Sequence, residues 1–134
     1  MIIHLKIAGG LLVLLAALHV GFPRYFRWRQ EFASLSLINR QMMYFHTFFL
    51  ALVVLLMGVL CLLSAEDLAN THLGHQIDLG LALFWMIRLL LQFFGYSPVH
   101  WRGKRFETLI HVLFSILWLY LTLIFLVESG VFAN

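Results

Sequence analysis

Three histidines, His19, His46 and His111, fall near the same end of three different apolar stretches of this chain. An imidazole can ligate a metal, carry a proton or donate a hydrogen bond. Inside a bilayer such a polar group tends to face a bundle interior or a cofactor. Counted inward along a helix, the three lie about 5, 6 and 8 Å from the ends of their stretches. The remaining stretch, the third in chain order, brings Gln92 and Arg88 to about 6 and 12 Å from the same side. Every long apolar stretch therefore contributes a polar group to one half of the membrane.

Two neutral imidazoles on facing helices can take both axial positions of a haem iron. His46 and His111 are the expected pair, because their helices run in opposite directions and enter from the same side. Arg88, Arg40, Arg102 and Arg105 could hold the propionates, since a guanidinium matches a carboxylate in a two-point contact. His19 is then a third ligand or a proton-carrying partner. Without a porphyrin, His19, His46 and His111 could bind a transition metal and leave one position open for substrate. Glu107, one turn before His111, could orient its ring or carry protons to the site. The structural alternative is that each histidine hydrogen-bonds a carbonyl or a neighbouring helix and so helps hold a bundle together.

A second, weaker cluster, His72, His75 and Asp78, recurs every three residues and could share one helix face. His72 and His75 could bind a metal jointly, and His75 with Asp78 could form a hydrogen-bonded pair. Such residues at a wet helix start also serve as caps and solvated polar groups.

The elements that must position these groups follow from composition. The chain of 134 residues is 63% hydrophobic and 11% charged, with a mean hydropathy of +0.94, which excludes an ordinary soluble domain. Four stretches, 2–22, 42–64, 73–96 and 106–127, are long enough to cross a hydrocarbon core, which takes roughly 20 helical residues. Their continuity rules against a barrel, whose strands are short and alternating. Pro23, Glu66-Asp67, Ser97-Pro98 and Glu128-Ser129-Gly130 punctuate them, and Asn70 and Thr71 are natural caps for the third. The expected fold is all-α, a single membrane domain over 1–134. It is a four-helix bundle of up-down-up-down topology with one interfacial amphipathic helix over 23–39. In that segment Tyr25, Trp28, Phe32 and Leu35 share a face opposite Arg27, Gln30, Glu31 and Ser34.

Periodicity also predicts the inner faces. On the fourth span Glu107, His111, Ser115, Trp118 and Thr122 line up, and on the third Leu81, Trp85, Arg88, Gln92 and Gly95. On the second the stripe is His46, Leu50, Val53 and Met57. On the first, His19 sits above Ala16 and Leu12. Arg24, Arg27, Arg29 and Arg40 lie between the first two spans, and Arg102, Lys104 and Arg105 between the last two. By the positive-inside rule these segments face the cytoplasm of a plasma (inner) membrane, with both termini outside. Lys6 is the one dissenting basic residue.

The lone Cys61 allows no intramolecular disulfide and no thiolate cluster. There is no phosphate loop or nucleophile elbow. The basic residues sit at the bilayer edge, where lipid headgroups explain them, so nucleic acid is not implied. In architecture alone the arrangement is similar to small four-helix membrane cytochromes of the b type, which also set histidines on facing spans; no extended motif carries the likeness. The first expectation is a haem b or transition-metal centre near the cytoplasmic face, serving electron transfer with a quinone. A second is a non-catalytic subunit of a membrane complex or a self-assembling homo-oligomer. A third is a small ligand or ion carrier built on Arg88 and the histidines.

Overall fold

The computed structural model describes residues 2–95 and 103–132. The expected end of the third span at Tyr96, its Ser97-Pro98 stop and Arg102 lie outside the described residues. Among those described the fold is all-helical, with no strand: α1 (Ile2–Tyr25), α2 (Trp28–Glu31), α3 (Leu37–Leu63), α4 (Ala65–Asn70), α5 (His72–Phe94) and α6 (Arg105–Glu128). Four of these, α1, α3, α5 and α6, are long and apolar enough to span a membrane. The chain divides into two compact units, Leu5–Ala65 and Met1–His4 with Glu66–Asn134.

In the first unit α1 runs past Pro23 to Tyr25. A proline in the last turn removes only one intrahelical bond. The helix stops at Arg27, whose φ of 54° is left-handed. The segment expected as one amphipathic helix is therefore broken. It consists of the end of α1, the single turn α2, and a bend closed by Ser36, whose hydroxyl accepts from the Asn39 backbone N–H and caps α3. Trp28, Phe32 and Tyr44 still pack ring against ring, at 5.0–6.3 Å between centroids.

Helices α1 and α3 meet at two glycines. A Cβ on Gly9 would stand 2.8 Å from the Gly58 carbonyl oxygen, and one on Gly58 would stand 2.8 Å from the Gly9 carbonyl. Only bare backbone permits that approach, the usual device for helix association in lipid. The buried face of α3 is Val54, Gly58 and Cys61. The expected stripe, His46, Leu50 and Val53, is exposed and Met57 only half-buried. The inner face is thus turned by one residue, about 100°. On α1 Leu12 and Ala16 are buried as expected.

In the second unit Thr71 caps α5, accepting from the Gly74 backbone N–H at 2.9 Å while donating to the Asp67 carbonyl at 2.6 Å. The backbone of α4 lies so close that any side chain at Gly74 would strike the Asp67 carbonyl. Helix α6 ends where the sequence expected, with Gly130 at a φ of 79° just beyond it. The two long helices pack antiparallel. Gln92 meets His111, and seven residues back along α5 and seven forward along α6 the Trp85 ring stacks on Trp118.

Candidate functional site

The α5–α6 seam carries the polar residues the sequence singled out on those helices. Near its middle the Trp85 and Trp118 rings stack at 5.1 Å and 9°, both almost fully buried. The Arg88 guanidinium carbon lies 4.9 Å from the Trp118 ring centroid. A cation over an indole face is held by the ring quadrupole, which helps keep a guanidinium inside an apolar hairpin.

From there a directed chain of hydrogen bonds runs to His111. Arg88 Nη1–H donates to Gln92 Oε1 at 3.3 Å. That contact fixes the amide, so Gln92 presents its NH2 group to α6. The NH2 donates to His111 Nδ1 at 3.0 Å and approaches the His111 carbonyl at 3.4 Å. An amide nitrogen can only donate, so His111 Nδ1 must accept and the ring hydrogen resides on Nε2. The His111 carbonyl also accepts from Ser115 Oγ at 2.7 Å. Arg88 thus sets Gln92, and Gln92 sets the tautomer of His111. Glu107, expected to orient that ring, is exposed.

Beside this chain lies a groove of about 380 Å³, lined by Leu89, Phe93, His111, Val112, Ser115, Ile116 and Leu119. Its walls are apolar apart from His111 and Ser115, and the edge of Phe93 meets the His111 ring at 5.9 Å. The indole nitrogens of Trp85 and Trp118 are buried without an acceptor. The middle of the seam is therefore rich in donors.

The histidines of the first unit are set the other way. His19 Nδ1–H donates to the Leu15 carbonyl and His46 Nδ1–H to the Met42 carbonyl, each at 2.8 Å. A carbonyl can only accept, so each neutral ring carries its lone pair on Nε2. His19 is half-buried and His46 exposed. His19 and His46 belong to one unit and His111 to the other.

At the far end of α5 the second cluster comes apart into separate roles. His72 is exposed. His75 Nε2–H donates to the Ala69 carbonyl at 2.8 Å, tying α4 to α5. Asp78 is fully buried, and neither of its carboxylate oxygens has a hydrogen-bond partner. Glu128 and His75 both act on it electrostatically. No three His, Cys, Asp or Glu side chains among the described residues gather to hold a metal ion, so His72, His75 and Asp78 do not form a ligand set there.

Sequence reasoning missed Glu128 as a site residue and took it for helix-end punctuation. The signal was the antiparallel register. Aligning Gln92 with His111 brings the end of α6 alongside the first two turns of α5. Trp85 and Trp118 both stand on the predicted stripes, but periodicity does not show that their indole N–H groups are buried without an acceptor.

No family model, curated protein or solved structure matches this chain.

Proposed function

We propose that this chain is a multi-pass membrane protein that binds a lipid-soluble quinone in the α5–α6 groove and works in electron transfer. The observation that carries the reading is the Arg88–Gln92–His111 relay, whose imidazole lines an apolar groove. A quinone is a flat apolar ring with carbonyl acceptors, matched to such a groove with one oriented donor. Reduction places electron density on the carbonyl oxygen, and a hydrogen bond to a charged acceptor is stronger than to a neutral one. The Nε2–H of His111, backed through Gln92 by the Arg88 guanidinium, therefore favours the reduced ligand over the oxidised one.

Electron transfer also calls for a carrier. His19 and His46 are the residues whose chemistry fits a haem iron: each anchors Nδ1–H on a carbonyl and turns the Nε2 lone pair outward, the usual arrangement behind a ligating imidazole. His46 and His111, the pair expected from depth alone, differ in tautomer. Haem b would supply a one-electron couple. The arginine-bearing segments are oriented to the cytoplasm and both termini outside, by the positive-inside rule.

The test is a titration of the detergent-purified protein with decylubiquinone, read by quenching of tryptophan fluorescence, alongside absorption spectra of the oxidised and reduced protein. Saturable quenching, weakened about 5- to 150-fold by His111→Leu through the loss of one hydrogen bond in a buried site, supports the quinone site. A reduced-haem band lost in His46→Ala or His19→Ala supports the carrier. A colourless protein with no saturable quenching overturns both and leaves the assembly-subunit reading.

A further inference from the structure

The end of the hairpin away from His111 poses a separate electrostatic problem. Asp78, in the second turn of α5, is 0% exposed and Glu128, the last residue of α6, 6%. Asp78 Oδ1 and Oδ2 and Glu128 Oε1 are buried with no hydrogen-bond donor, and the two carboxyls lie within electrostatic reach of each other. No Lys or Arg occurs on α4, on α5 before Arg88, or on α6 after Arg105. His75 acts on Asp78 from the same helix, but its Nε2–H is committed to the Ala69 carbonyl and its Nδ1 side faces Gly130. Among the described residues Lys6, Glu66, Asp67 and His72 are exposed, and His4 is hydrogen-bonded to Tyr120 at 3.1 Å.

What is left is a buried cluster made almost wholly of acceptors. Two ionised carboxylates there would repel one another with no donor to offset their lost hydration. Only a cation answers that chemistry, and no three ligating side chains among the described residues gather for a metal. A single proton converts the site: the protonated carboxyl becomes an O–H donor, and its neighbour remains an acceptor. We propose that Asp78 and Glu128 form a proton-binding carboxyl pair that closes this end of the α5–α6 hairpin. The pair takes up one proton from the aqueous face and returns it there, and no bond other than O–H is made or broken. The site is independent of the quinone reading, because it shares no residue with the groove.

Dicyclohexylcarbodiimide tests it directly, because this apolar reagent modifies buried carboxyl groups only in their protonated form. The full-length protein in detergent would be treated at a series of pH values and mapped by mass spectrometry, with exposed Glu107 as internal reference. The expected result is labelling of Asp78 at neutral pH that declines as pH rises, is absent at Glu107 and is lost in Asp78→Asn. The wild-type pH series stands without any variant, and Glu128→Gln provides a second one should Asp78→Asn fail to fold. Absence of labelling at Asp78 at neutral pH would overturn the proposal. So would suppression by sodium at constant pH, which would identify the occupant as a metal cation.

Discussion

The two units solve helix association in opposite ways. In the first, α1 and α3 meet through the bare backbone at Gly9 and Gly58, and the histidines turn to carbonyls of their own helices. In the second, α5 and α6 meet through large side chains. An indole stack, a guanidinium over an indole and an amide all bridge the helices, and the histidine takes its partner from across the seam. The difference fixes the chemistry of the imidazoles. A ring that donates to its own helix keeps an Nε2 lone pair, a ligand's arrangement. A ring that accepts from a neighbour's amide keeps an Nε2–H, a donor's arrangement.

Substitutions at the two contacts should separate the units. The largest effect is expected from Trp118→Ala, which removes the stacked indole and the support of Arg88; a loss of about 3–5 kcal/mol should appear as a lowered thermal midpoint together with loss of quinone binding. Gly58→Leu should cost about 1–3 kcal/mol by forcing a side chain into the glycine contact, yet leave decylubiquinone affinity unchanged. If Gly58→Leu abolished quinone binding while the protein stayed folded, the independence of the two contacts would be lost. The smallest and most discriminating change is Gln92→Glu. A carboxylate accepts where the amide donated, so it pulls the His111 hydrogen onto Nδ1 and leaves a lone pair on Nε2. Stability should shift by no more than about 1.7 kcal/mol, the upper range for interhelical hydrogen bonds in membranes. Quinone affinity should fall as far as it does in His111→Leu, and nitrogen-resolved NMR of the His111 ring should report the exchanged tautomer.

Much of the seam was legible beforehand. The stripes Leu81–Trp85–Gln92 and Trp118–Thr122 are buried as periodicity required, because bulky and polar residues recurring at helical spacing single out one face. The stripe of α3 was misjudged. Nearly every residue of that helix is apolar, so hydrophobicity does not distinguish its faces, and Gly58 decided which side a neighbour could approach. The interfacial helix over 23–39 had the right aromatic pattern, but Arg27 and the Phe32–Ser36 bend interrupt it. Periodicity describes side chains and says nothing of a break in the backbone.

The sequence by itself determined that the chain is helical and carries four apolar helices of spanning length, since length and hydropathy alone settle whether a helix can cross a hydrocarbon core. It also determined which residues of α5 and α6 share a face. Only the tertiary structure decided that Gln92 meets His111, that Asp78 is buried within reach of Glu128, and which nitrogen of each imidazole bears the hydrogen. Those properties belong to pairs of groups, and the partner of a side chain is chosen by the register between helices, which no single helix's sequence records.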